Sequence, residues 1–188
     1  IIGYISEDTE NFTLFKNISI DNNNDLYICA FDALNGSSNY LSNMNTGSIY
    51  GIYKYDKSKN KIIEIVESGY CLFGIKSIMV YTFNDKLIKY NLNNDIYLRE
   101  QKENKHKIYS INQSYTYDPI VTFLINHYKS KKYKLRWTGT LVADVHRIII
   151  NGGIFYYPYN DFNKKGKIRL IYESIPLSFI FKTINGIG

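Results

Sequence analysis

The chain has 188 residues, 45% hydrophobic and 21% charged, which is enough apolar matter for one sizeable core or two small lobes and excludes a disordered chain. Its net charge of +6 suits a polyanionic partner, but the lysines gather in hydrophilic stretches (54–61, 102–107, 129–134) that read as solvated loops and helix ends. That placement argues against nucleic acid and membrane surfaces and favours a phosphorylated metabolite. No apolar run is long enough to cross a bilayer, and Cys29 and Cys71 lack CxxC or Cys/His spacing, so a cytoplasmic protein with reduced core thiols is expected.

In chain order, Ile1 to Ile5 reads as a strand that delivers Ser6-Glu7-Asp8 at its end. Leu26 to Phe31 is an unbroken apolar run, a buried strand, and it leads into the small and polar turn Asp32-Ala-Leu-Asn-Gly-Ser-Ser38. Ser48 to Lys54 is a further strand. The stretch from Ile62 to Phe83 is expected to hold a helix followed by a strand centred on Ile78 to Tyr81, with Leu87 to Leu92 as hairpin partner. The polar segment 93–107 is the expected lobe boundary, dividing the chain into 1–107 and 108–188. After it come a strand at Ile108 to Ile111 and a helix opened by Asp118-Pro119 and reaching Tyr128, because proline behind an acidic cap is a start signal. Leu141 to Ile150 has helical spacing broken by Gly152-Gly153, and Ile154 to Tyr157 returns as a strand. Lys167 to Ile184 is apolar, with Pro176 predicting a kink or a new start. Alternating strands and helices predict a layered α/β or α+β fold.

The turn at Asp32 is the segment that speaks of chemistry. A strand supplies a carboxylate, and Gly36-Ser37-Ser38 then offers successive backbone N–H groups, an arrangement suited to a phosphate beside a metal. Among the basic residues, Arg136, Arg147, Lys167 and Arg169 sit in apolar segments and are candidates for an anion site. Asp144, His146 and Arg147 read as a structural trio, and His106 and His127 as surface residues.

The turn resembles the Asp-Pro-Leu-Asp-Gly-Ser-Ser signature of the fructose-1,6-bisphosphatase family, related more distantly to inositol monophosphatases. The resemblance runs along nearly the whole chain. Ser6-Glu7-Asp8 is similar to the family's Ser-Glu-Glu, Gly47-Ser-Ile-Tyr-Gly-Ile-Tyr53 to Gly-Thr-Ile-Phe-Gly-Ile-Tyr, and Tyr109-Ser-Ile-Asn112 to Tyr-Ser-Leu-Asn. Arg136-Trp-Thr-Gly-Thr-Leu-Val-Ala-Asp-Val-His-Arg147 resembles Arg-Tyr-Val-Gly-Ser-Met-Val-Ala-Asp-Val-His-Arg, and Gly152-Gly-Ile-Phe-Tyr-Tyr-Pro158 resembles Gly-Gly-Ile-Phe-Leu-Tyr-Pro. Gly166-Lys-Ile-Arg-Leu-Ile-Tyr-Glu173 resembles Gly-Lys-Leu-Arg-Leu-Leu-Tyr-Glu.

The resemblance implies a fructose-1,6-bisphosphatase/inositol monophosphatase-like sandwich of sheets and helices, incomplete at both ends, without the opening AMP-binding helices and the last strands. It implies Glu7, Asp32, the main-chain carbonyl of Leu34, Asn35 and Glu173 as ligands of Mg²⁺ (or Mn²⁺ or Zn²⁺), with Glu7, Asp8 and Asp32 as the catalytic group. Gly36, Ser37 and Ser38 would hold the 1-phosphate, and Asn112, Tyr115, Arg136, Tyr157 and Lys167 the sugar and 6-phosphate, with Arg136 reaching a neighbouring subunit's site. The implied activity is gluconeogenic hydrolysis of fructose 1,6-bisphosphate to fructose 6-phosphate by a homotetramer or homodimer, with no nucleic-acid or membrane partner. A catalytically impaired paralogue serving as a binding or structural subunit is the alternative. Three departures from the signature bear on that choice: Ala33 for proline, Asn35 for the second aspartate, and Asp8 for the second glutamate. An amide oxygen at position 35 carries no charge, so the metal half of the site is expected to be weakened.

Overall fold

A computed structural model describes residues 1–9, 11–16, 25–91, 96–98, 106–112, 116–161 and 163–188. The strands are β1 (Gly3–Ser6), β2 (Thr13–Leu14), β3 (Leu26–Asn35), β4 (Thr46–Asp56), β5 (Lys61–Phe73), β6 (Ile78–Phe83), β7 (Lys86–Asn91), β8 (Ile96–Leu98), β9 (Ile108–Ile111), β10 (Lys134–Leu135) and β11 (Ile154–Tyr156). The helices are α1 (Ser37–Tyr40), α2 (Pro119–Ser130), α3 (Leu141–Asn151) and α4 (Ile175–Thr183), with a π-helical turn at Leu170–Ser174 leading into α4. Two sheets result. Eight strands run in the order β2-β1-β3-β4-β5-β6-β7-β8, antiparallel except for the parallel pair β1 and β3. Three short strands, β10-β9-β11, form a separate parallel sheet. The fold is therefore mixed and layered, as expected.

The segment after Lys61 departs from expectation. It forms no helix: β5 is a 13-residue strand paired with β4 from Asp56↔Lys61 to Thr46↔Phe73. Ile62, Ile63, Ile65 and Val66 are β-branched, stiff at χ1 and better accommodated on a pleated surface than in a helix. Two register shifts, between Ile52 and Tyr53 and between Lys54 and Tyr55, twist the long ribbon and scramble the alternation that would have marked it as a strand.

The main core lies between the large sheet and α3 and α4. Ile49, Tyr70 and Val80 meet Val142 and Val145 of α3 and Ile180 of α4, all nearly inaccessible to solvent. Helix α3 can approach this closely because Gly47 of β4 has no side chain: a Cβ there would lie 2.9 Å from Val142 Cγ1 and 2.4 Å from Cys71 O. Gly152, at φ 74°, ends α3 by donating its N–H to Ile148 O at 2.8 Å. A second cluster packs Ile28, Ala30 and Tyr53 against Tyr172 of the π-helical turn.

The π-helical turn is explained by the proline behind it. Pro176 has no N–H for the carbonyl four residues back, and its ring would collide with that carbonyl. The chain widens instead, with Ser174 N donating to Arg169 O at 2.9 Å and Ile175 N to Leu170 O, both five-residue steps. Pro176 itself is buried, and its carbonyl accepts from Ser68 Oγ at 2.9 Å. Cys29 and Cys71 are free, half-buried thiols. No described helix is long and apolar enough to cross a membrane.

Candidate active site

Side chains three apart on a regular strand point to opposite faces. Asp32 and Asn35 nevertheless both point inward, at 2% and 6% exposure, while Ala33 and Leu34 between them are exposed. The pairing accounts for this: Asp32 faces Ile49 and Asn35 faces Gly47, so two residues of β3 oppose the single Ser48 of β4. That β-bulge absorbs one residue and brings both polar side chains to one face. The looped-out peptide also turns back, with Leu34 N donating to Asp32 Oδ1 at 3.1 Å.

Glu173 reaches the same place from the π-helical turn. It is 8% exposed, and its Oε2 accepts from Arg169 N at 2.6 Å. Asn35 stands between the two carboxylates: its Nδ2 donates to Asp32 Oδ2 at 2.9 Å and to Glu173 Oε1 at 3.1 Å. On the opposite side Asn35 Oδ1 accepts from Val142 N at 3.0 Å. A main-chain N–H only donates, so this bond fixes which end of the amide is oxygen. Asn35, expected among the metal ligands, thus presents nitrogen to the acids.

Glu7 joins them through sheet geometry. Strand β1 runs parallel to β3 and ends at Ser6 opposite Phe31, and Glu7 N donates to Phe31 O at 3.2 Å, which puts its carboxylate beside Asp32. Burial raises the Glu7 carboxyl above its ordinary range, the neighbouring Asp32 raises it further, and the Arg169 charge opposes both. Glu173 is pushed up to about 7, chiefly by burial and further by Asp32 and Glu7, against the Arg169 N–H and guanidinium. Asp8 is exposed at the rim.

The signature then turns sharply. Gly36 has φ 81°, and α1 follows with Ser37 and Ser38 exposed. The turn is anchored from behind: Asn39 Nδ2 donates to Thr140 Oγ1 at 2.6 Å and to Thr138 O at 3.0 Å, and Thr140 Oγ1 donates to Asn45 O at 2.6 Å. These three bonds clamp the turn to the start of α3.

The expected sugar and distal-phosphate residues are more dispersed. Tyr157 is half-buried against Trp137, with ring centroids 5.8 Å apart, and burial with the Glu173 charge raises its phenol, which ties it to the carboxylate cluster. Asn112 is buried and donates Nδ2 to Pro158 O at 3.1 Å, joining the end of β9 to the segment after β11. Arg136 is exposed, its Nη1 donating to Leu135 O at 2.8 Å, and Lys167 is exposed. Tyr115 lies outside the described residues. Asp144 accepts from Thr138 N at 3.0 and 3.1 Å and meets Arg147 Nη1 at 3.5 Å, and His146 Nδ1 lies 2.7 Å from Tyr70 Oη, consistent with structural roles for that trio. His106 and His127 are exposed.

The clamp of Asn39, Thr138 and Thr140 was not foreseen as part of the site, whereas Arg169 was expected at an anion site and stands instead near the carboxyl groups of Glu7 and Glu173. Arg169 was legible as a cation in an apolar segment, but its role depends on the π-helical turn. The clamp carried no signal in sequence.

A divalent cation needs several hard oxygen donors brought together. Among the described residues no three His, Cys, Asp or Glu side chains are arranged to hold one. Glu7 and Asp32 lie side by side, close enough for a hydrogen bond between the two carboxyl groups, and carboxylate oxygen is the donor type that hard ions such as Mg²⁺ prefer. The pair Asp32 and Glu173 is occupied by an amide.

Residues 102–188 match the family model described as Fructose-1-6-bisphosphatase, C-terminal domain. Fructose-1,6-bisphosphatase of Schizosaccharomyces pombe is 33% identical over 98% of this chain and 57% of its own length. The chain is similar to the fructose-1,6-bisphosphatases over nearly its whole length. A class 1 fructose-1,6-bisphosphatase of Persephonella marina is 36% identical over 85% of this chain and 54% of its own, so the chain spans about half the length of the curated relatives it matches. The crystal structure of Leishmania major fructose-1,6-bisphosphatase in its T-state has a TM-score of 0.81 at 27% identity, covering 97% of this chain and 64% of that one. The holo form of the same protein gives 0.79 at 29% identity with the same coverage. The two-sheet architecture is thus that of the fructose-1,6-bisphosphatases.

Proposed function

We propose that the chain is the phosphate-transfer part of a fructose-1,6-bisphosphatase-like sugar phosphatase of carbohydrate metabolism, one that releases the 1-phosphate of fructose 1,6-bisphosphate. The observation that carries this reading is the convergence of Glu7, Asp32 and Glu173 from three separate segments behind the Gly36 turn. Named relatives with the same activity support it.

In this reading the Gly36 to Ser38 turn receives the 1-phosphate, and Lys167, Tyr157, Asn112, Tyr115 and a neighbouring subunit's Arg136 receive the sugar and 6-phosphate. Glu7, its carboxyl raised by burial and by Asp32, takes a proton from the attacking water; Asp8 at the rim assists. Water oxygen bonds to phosphorus, the bond from phosphorus to the C1 oxygen breaks, the C1 oxygen takes up the proton that Glu7 received, and phosphate and fructose 6-phosphate leave. A divalent ion held by Glu7, Asp32 and the Leu34 carbonyl, Mg²⁺ or else Mn²⁺ or Zn²⁺, supplies Lewis-acid neutralisation of the phosphate when bound. Assembly is as a homodimer or homotetramer in the cytoplasm.

The second reading, a paralogue that binds sugar phosphate without turning it over, is favoured by the Asn35 amide lying between Asp32 and Glu173. Phosphate release from fructose 1,6-bisphosphate with Mg²⁺ decides between them. Metal-dependent release supports the enzyme; tight bisphosphate binding without release supports the binding subunit; neither binding nor release rejects both.

A further inference from the structure

The two carboxylate pairs of the site differ in what stands between them. Glu7 N donates to Phe31 O at 3.2 Å, which sets the like-charged Glu7 and Asp32 side by side, a place a cation would relieve. Between Asp32 and Glu173 both amide protons of Asn35 are already spent, one on each acid. Each is a buried hydrogen bond to a carboxyl oxygen. Turning the amide over would present Oδ1 to the acids but would set two N–H donors against Val142 N, whose residue is fully buried, and would leave that donor unsatisfied. The orientation is therefore locked from the far side by α3.

We propose that the Asn35 amide takes the place of a divalent cation between Asp32 and Glu173, so that this chain keeps one cation position, at Glu7 and Asp32, and has given up the other. The inference rests on reading this pocket as the phosphate-transfer centre. It gives two buried acids from segments 141 residues apart in sequence, Asp32 and Glu173, a shared neutral donor. An aspartate at position 35, as in the family signature, would place a third carboxylate against the other two and a lone pair against Val142 N, and three buried acids without a counter-charge would separate or recruit a cation.

Mn²⁺ binding to the purified full chain, counted from the loss of the free-ion resonance at saturation, tests this. The parent is expected to hold one Mn²⁺ fewer than Asn35→Asp. Thermal melting should fall with chelator and recover with Mn²⁺ in Asn35→Asp, and be far less sensitive in the parent. Should Asn35→Asp fail to fold, Glu173→Gln in the parent decides: an unchanged Mn²⁺ count supports the amide bridge, and a loss of one ion overturns it. Equal counts in the parent and a folded Asn35→Asp also overturn it. Fructose 1,6-bisphosphate binding measured on the same samples keeps the two readings apart, since its absence would reject the proposed function whatever the ion counts, whereas binding with equal counts would reject the amide bridge alone.

Discussion

Replacing Gly36 by alanine tests the signature turn through one atom. At φ 81° an L side chain costs about 1–2 kcal/mol. The new Cβ would also lie 2.5 Å from Thr140 Oγ1, 2.9 Å from its Cγ2 and 3.0 Å from its Cβ, closer than real contacts allow. Thr140 has nowhere to go: it is fully buried, β-branched, and bonded through Oγ1 to Asn39 and Asn45. Displacing it forfeits those two bonds, each worth about 1 kcal/mol, so the total loss is about 3 kcal/mol. Urea unfolding read by tyrosine and tryptophan fluorescence measures it, and inorganic phosphate affinity should fall in step because the turn and its clamp move together. Adding Thr140→Ala should recover part of the loss, making the double variant less damaged than the sum by about 1 kcal/mol or more. A Gly36→Ala protein within about 1 kcal/mol of the parent would refute the close approach of the turn to α3.

Ile180→Ala, at a fully buried position between α4 and the sheet, should cost about 2–5 kcal/mol in chemical denaturation. Lys167→Ala should weaken fructose 6-phosphate binding by about tenfold, the worth of one charge-assisted hydrogen bond, with the unfolding midpoint unchanged because the residue is exposed. Asp144, raised by burial against its bonds from Thr138 and the Arg147 charge, holds its proton more tightly folded than unfolded. Its contribution is therefore fully present below the ordinary carboxylate range near about pH 4 and is lost as pH rises through the raised value. The stability of the parent relative to Asp144→Asn should accordingly decline over that interval in urea titrations, and a rise would contradict the assignment.

Most of the architecture was legible because periodicity and punctuation agreed. Asp118-Pro119 opens α2, with Asp118 accepting from Ile120 N at 2.8 Å, and Gly152 closes α3. Where they disagreed the reading failed: Ile62 to Val66 has no punctuation, and the register shifts in β4 and β5 disguise its alternation, so a strand passed for a helix. Pro176 correctly announced a break, but the form of that break, a π-helical turn that aims Glu173, depends on packing against β3 and β4. The acids of the site could be named from the motif blocks. What could not be read was the direction of the Asn35 amide, because Val142 N, which sets it, lies 107 residues away in sequence.

The bulge in β3 imposes an arithmetic on the chain. Deleting Ala33 would leave Asp32 and its amide partner two steps apart on a plain ladder, both still inward, and the sheet would close without complaint. What would vanish is the protruding peptide, and with it the Leu34 N–H that steadies Asp32 and the Leu34 carbonyl beside it. Inserting a residue there would instead turn the amide outward. Length in this turn is therefore far less negotiable than composition, which is why alanine can stand where the signature has proline.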